Sequence, residues 1–118
     1  MPKVMITDDS LFIRNKLAKT LGERGYETAL AKDGEQAVRV YREARPDAAL
    51  IDITMPGKSG LEALNEIIEL DPRACVIMLT ALDQKSIAAT ALAAGAKEFL
   101  AKPVRPEQLT AALEKVLR

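Results

Sequence analysis

Residues 48–63 read A-A-L-I-D-I-T-M-P-G-K-S-G-L-E-A, and the order of residue types in this stretch decides the architecture. Four apolar residues run directly into Asp52, the pattern of a strand covered on both faces. Ser59 with Glu62 then has capping-box spacing for a helix that follows. A buried strand leading through a short loop into a helix is the repeating unit of an α/β domain. The unit recurs in both directions along the chain. Strands are predicted at Val4–Thr7, Tyr26–Ala31, Ala48–Asp52, Cys75–Thr80 and Glu98–Ala101, with amphipathic segments between them. Ser10 and Asp33 stand at cap positions, Gln36 has capping-box spacing to Asp33, and Pro106 suits the first position of a helix. Gly25 and Gly95 stand where helices should stop. With no linker, repeat or low-complexity segment, residues 1–118 are expected to form a single doubly wound (βα)5 domain around a parallel sheet.

Composition removes several classes of function. Lys plus Arg and Asp plus Glu are 17 each, so no net field draws in nucleic acid or an anionic membrane, and neither is expected as a direct partner. There is no histidine, which excludes imidazole bases, histidine-containing triads and histidine metal sites. The one cysteine, Cys75, cannot close an internal disulfide or a thiolate zinc site, and it is expected to begin a buried strand as a small hydrophobe. Neither a signal pattern nor a long apolar stretch is present, and a cytoplasmic location is expected.

Five polar residues follow the apolar runs of the predicted strands: Asp8 and Asp9, Asp52, Thr80 and Lys102. Taken singly, each has an ordinary reading. An aspartate pair before a helix caps it, a threonine closes a strand, and a lone lysine is a solvated charge. Ser10 can cap the first helix by itself, which leaves the two carboxylates unexplained. If the strands are neighbours in a parallel sheet, all five side chains meet at its carboxyl rim. Two like charges about 4 Å apart repel by roughly 4 kcal/mol at an effective dielectric near 20, so three carboxylates there imply a cation. Hard oxygen donors suit Mg²⁺, for which Mn²⁺ can substitute.

The segments ITDDS around Asp8 and Asp9, DITMPGKSGLEAL from Asp52, MLTA around Thr80, and AGAKEFLAKPV around Lys102 and Pro103 occur in that order. With them the chain resembles, end to end, the receiver domain of response regulators, most closely the stand-alone chemotaxis type. The resemblance implies a flavodoxin-like fold with strand order 2-1-3-4-5. It implies that Asp52 accepts a phosphoryl group from a sensor histidine kinase. Asp9, Asp52 and the backbone carbonyl of Thr54 would bind Mg²⁺ directly, and Asp8 through water. Lys102 would contact the phosphoryl group, with a cis bond to Pro103, and the Thr80 hydroxyl would turn towards it. Phe99 would then change rotamer; it stands where the chemotaxis type usually has tyrosine. The helix from near Gln84, the strand with Phe99 and the helix from Pro106 would form the surface that controls a downstream protein, with Lys85, Ala88, Leu92 and Lys97 as its candidates. A natural single-domain regulator is favoured over a receiver cut from a longer protein or a phosphorelay intermediate. A binding module that accepts no phosphate is disfavoured by the presence of all five residues. An aspartyl-phosphate phosphatase would carry a second aspartate two positions after the nucleophile, where this chain has Thr54. The chain is therefore expected to be no enzyme in the usual sense, with at most slow self-dephosphorylation.

Overall fold

Among the described residues, five strands and five helices alternate along the chain: β1 (Lys3–Thr7), α1 (Leu11–Glu23), β2 (Glu27–Ala31), α2 (Gly34–Ala44), β3 (Ala48–Asp52), α3 (Gly60–Leu70), β4 (Val76–Thr80), α4 (Lys85–Ala93), β5 (Glu98–Ala101) and α5 (Pro106–Val116). The computed structural model describes residues 1–81 and 85–118, the side chain of Lys85 excepted. All strand pairs are parallel and the order is β2-β1-β3-β4-β5, as expected.

Alternation along the central strands separates the core into two layers. Val4, Ile6, Leu50, Ile77 and Leu79 pack with Leu17 and Leu21 of α1 and with Leu109 and Leu113 of α5. Met5, Ala49, Ile51, Val76 and Met78 pack with Val38 and Tyr41 of α2, Leu64 and Ile67 of α3, and Ala91 of α4. Every residue of β3 and β4 is buried, which explains their continuous apolar runs.

The helix starts follow the local signals. Ser10 accepts from Ile13 N at 3.3 Å, Asp33 from Gln36 N at 2.8 Å, and Ser59 with Glu62 forms a complete capping box. Gly25 (φ +88°) and Gly95 (φ +121°) follow α1 and α4 in the left-handed region. Three strand limits move by one residue. Lys3 joins β1, while β2 and β4 start after Tyr26 and Cys75. Tyr26 N donates to Leu21 O at 3.0 Å, so this residue still belongs to the turn that ends α1. Cys75 is only half-buried, contrary to expectation, because it precedes β4 at the sheet's amino edge, with Sγ 3.4 Å from the carbonyl oxygen of Val116.

The surface expected from α4 needs one correction. Ala88 is fully buried and cannot contact a partner, since a helix of small residues sits close to the sheet and turns this position inward. Leu92 is 39% exposed and Lys97 is also exposed, so both stay available. The side chain of Lys85 and the expected helix start near Gln84 lie outside the described residues. No helix among the described residues is long and apolar enough to cross a membrane.

Candidate functional site

The strand register delivers the polar residues to one edge. Thr7 at the end of β1 lies beside Ile51, Asp52 at the end of β3 beside Leu79, and Thr80 at the end of β4 beside Ala101. Asp8, Asp52 and Lys102 consequently emerge at the same edge of the sheet, the position at which open parallel sheets bind ligands.

The Asp8, Asp9 and Asp52 carboxylates each offer an oxygen, and these oxygens all lie within 4.8 Å of one another. Asp8 and Asp52 are buried and Asp9 is exposed. Lys102 Nζ lies 2.8 Å from Asp8 Oδ2 and 3.1 Å from Asp52 Oδ2, bridging the two buried members. The Lys102–Pro103 peptide is cis, in agreement with the resemblance.

The two buried aspartates are held by hydrogen bonds to their surroundings. Asp8 N donates to Ala31 O at 3.2 Å, Asp8 Oδ1 accepts from Ser10 N at 2.9 Å, and Arg14 Nη1 donates to Asp8 O at 2.6 Å. Asp52 Oδ1 accepts from Thr54 N at 3.3 Å, and Ile53 N donates to Leu79 O at 3.0 Å. Beneath this loop, Gly60 starts α3 against the main chain of Asp52. A Cβ at position 60 would collide with the Asp52 carbonyl oxygen and lie 2.8 Å from Ile53 Cα. Arg14 and Gly60 escaped the sequence reading. For Arg14 the available signal was its place one turn inside the helix that follows the acidic pair; for Gly60 it was a glycine inside a capping box, where helix propensity alone disfavours it.

Burial pushes the Asp52 carboxyl above the ordinary carboxylate range; the Lys102 ammonium pulls it down and the Asp8 carboxylate adds to the rise. For Lys102, burial opposes the charge, but the Asp8 and Asp52 carboxylates outweigh it and raise its pKa. Three carboxylates against one bridging ammonium leave an excess of two formal negative charges, gathered on hard oxygen donors. That donor set fits a divalent cation of the Mg²⁺ type.

Thr80 ends β4 at this rim, and Phe99 lies on β5 opposite Met78. Thr80 is buried, and its hydroxyl donates to Leu100 O at 3.5 Å, the outer limit for such a bond. Phe99 is half-buried against the layer formed with α2, α3 and α4. Alternation places the Thr80 side chain on that same face. The exposed side chain of Thr54 follows two residues after Asp52.

Fold and rim together define a doubly wound α/β domain with an acidic, lysine-bridged pocket at the ends of its strands. Residues 4–114 match the response regulator receiver domain family, and the chain belongs to it. The chain is 41% identical to the chemotaxis protein CheY of Thermotoga maritima over 97% of this chain and 96% of that protein. It is 42% identical to protein CcdB of Bacillus subtilis over 99% of this chain and 98% of that protein. Among solved structures, it superposes with a TM-score of 0.93 on a chain of the CheX–CheY–BeF3–Mg²⁺ complex from Borrelia burgdorferi, at 34% identity, covering 98% of this chain and 89% of that one. Receiver domains act in two-component signalling as regulatory elements rather than as classical enzymes.

Proposed function

We propose that this chain, as a receiver domain over residues 1–118, accepts a phosphoryl group on Asp52 from a sensor histidine kinase in the cytoplasm and controls a protein target. The observation that carries the reading is the buried Asp52 carboxylate, with Lys102 Nζ 3.1 Å away and two further aspartates beside it. An Asp52 carboxylate oxygen attacks phosphorus as the bond from phosphorus to the donor nitrogen breaks, and the electron pair leaves with the imidazole. The product is an acyl phosphate on Asp52. Lys102 Nζ, already beside Asp52 Oδ2, moves its hydrogen bonds to a phosphoryl oxygen.

Asp9, Asp52 and the Thr54 carbonyl would hold Mg²⁺, with Asp8 joined through water. When bound, Mg²⁺ neutralises charge on the transferring phosphoryl oxygens. Mn²⁺ would serve in its place. Thr54 offers no acid or base to a hydrolytic water, so self-dephosphorylation is slow.

The Thr80 hydroxyl leaves its long bond to Leu100 O for the new phosphoryl oxygens, and Phe99, on the same face of the sheet, moves into the space released. The reporting surface runs over α4, β5 and α5, with Leu92 and Lys97 exposed upon it. Similarity to CheY proteins supports a target in chemotaxis signalling. A phosphoryl group shifts this surface only as far as it favours the active arrangement over the inactive one.

Intact-mass measurement after incubation with acetyl phosphate and Mg²⁺ tests the reading. The parent should gain one phosphoryl group, whereas Asp52→Asn, or the parent with chelator, should gain none. A parent that gains no mass, or sustained fast release of inorganic phosphate, would overturn it.

A further inference from the structure

Arg14 takes no part in the chemistry above, yet it makes the shortest of the bonds that hold the acidic pair. Its Nη1 donates to the backbone carbonyl of Asp8 at 2.6 Å from a half-buried position near the start of α1. That carbonyl belongs to the peptide joining Asp8 to Asp9, so a single guanidinium fixes the link from which both carboxylates hang. The two side chains are otherwise held unequally. Asp8 is buried, accepts from Ser10 N and pairs with Lys102, while the exposed Asp9 carboxylate makes no hydrogen bond or ion pair among the described residues. The direction of Asp9 therefore depends on its main chain.

We propose that Arg14 is a positioning residue for the divalent cation, a strut that holds the Asp8–Asp9 peptide so that Asp9 faces Asp52 before the ion arrives. The inference rests on the cation-dependent reading above. Two effects of the guanidinium oppose each other. Its positive charge repels an incoming cation, whereas its hydrogen bond preorganises the ligands. Charge repulsion through water is screened within about 10 Å at 0.1 M salt and over a shorter range at higher salt, whereas a direct hydrogen bond to a carbonyl keeps its geometry. Groups that orient metal ligands without touching the ion typically change affinity by about 10- to 100-fold.

The test is the Mn²⁺ dissociation constant, read from the paramagnetic resonance of free Mn²⁺ at raised salt, for the parent, Arg14→Met and Arg14→Lys. Arg14→Met keeps much of the side-chain volume and removes both charge and donor. It should bind Mn²⁺ about tenfold more weakly, and Arg14→Lys, which keeps the charge without the planar fork, should recover part of the loss. In the metal-free proteins, amide exchange at Asp9 and Ser10 should accelerate in Arg14→Met while exchange in β3 and β4 stays at the parent rate. Equal or tighter Mn²⁺ binding by Arg14→Met would overturn the strut, since removal of repulsion alone tightens binding. Should Arg14→Met fail to fold, Arg14→Lys decides, and binding equal to the parent overturns the strut. A parent that binds no Mn²⁺ would instead defeat the cation reading itself.

Discussion

The two sides of the carboxyl rim are built to different standards. On the side of β1 and β3, strand residues are buried and the loops are tied by main-chain bonds at Asp8, Ile53 and Gly60. On the side of β5, all four strand residues are only half-buried, and four of the nine residues of the neighbouring α4 are alanine. The first side confines like charges that repel one another and needs a stiff frame to do so. The second holds the Thr80 hydroxyl by a long hydrogen bond and Phe99 against a partly open layer. On the proposed reading, a charge change would be received where the structure resists deformation and relayed where small rearrangements are inexpensive.

Gly60→Ala strikes the stiff side hardest. A methyl group there meets the main chain of Asp52 and Ile53, which have no flexible end to move aside. The expected loss of stability is about 3 kcal/mol, the upper part of the usual range for overpacking, measured as a fall in the urea midpoint. Phosphoryl uptake should fall as well, because Asp52 must shift with its carbonyl. A stability within 0.5 kcal/mol of the parent, by order of magnitude the effect of a surface substitution, would show that the frame yields.

Lys102→Met removes the cation that bridges two buried carboxylates. Loss of one partner of a fully buried pair costs about 3 to 5 kcal/mol, but the Lys102 side chain is 25% exposed, and solvent screening reduces the expected loss to about 2 kcal/mol. Mg²⁺ should restore much of it by supplying positive charge at the same place. Thermal melts with and without Mg²⁺ check both statements. A loss that Mg²⁺ leaves unchanged would separate the structural role of Lys102 from the acidic pocket.

The pocket also sets a sign for pH dependence. Burial raises the folded-state pKa of Asp52 above its ordinary value of 3.8. The folded chain therefore binds this proton more tightly than the unfolded chain, and stability falls as pH climbs from 3.8 through the raised value. The full penalty is present once pH lies above the raised value. Asp52→Asn should accordingly melt higher than the metal-free parent at pH 7, with the difference shrinking as pH falls towards 3.8. Lys102 behaves oppositely at the alkaline end: its raised pKa gives stability that is complete below 10.5 and lost as pH rises through the folded-state value. A metal-free Asp52→Asn protein that melts below the parent at pH 7 would mean that Asp52 is stabilising, against the direction set by its burial.

Much of this contrast was legible before any coordinates. Buried strands announce themselves by continuous apolar runs, and the caps at Ser10, Asp33 and Ser59 are local chemistry, so order and type of the elements followed from short windows. Asp8, Asp9, Asp52 and Lys102 stood out because each follows such a run. Ala88 did not, since alanine suits a core and a surface equally and carries no mark of its face. Cys75 was misplaced because its apolar character is continuous with β4, although the strand begins one residue later. Arg14 and Gly60 act through the main chain of other segments, which spacing along the sequence does not encode.

The smallest effect on stability should come from Thr80→Val, on the looser side. The substitution keeps the branched shape and deletes only the hydroxyl, whose hydrogen bond among the described residues, to Leu100 O, is 3.5 Å long. A neutral hydrogen bond contributes about 1 kcal/mol and one at this distance less, so the melting temperature should change little. Asp52 should still take up a phosphoryl group, since the hydroxyl carries none of the charge that defines the pocket. The signal from Phe99 and Leu92 should nevertheless stay close to its unphosphorylated state when side-chain resonances are compared before and after phosphorylation. Normal movement of those resonances in Thr80→Val would remove the hydroxyl from the relay, while large destabilisation would show that the bond at Thr80 belongs to the stiff frame and that the rim has no loose side there.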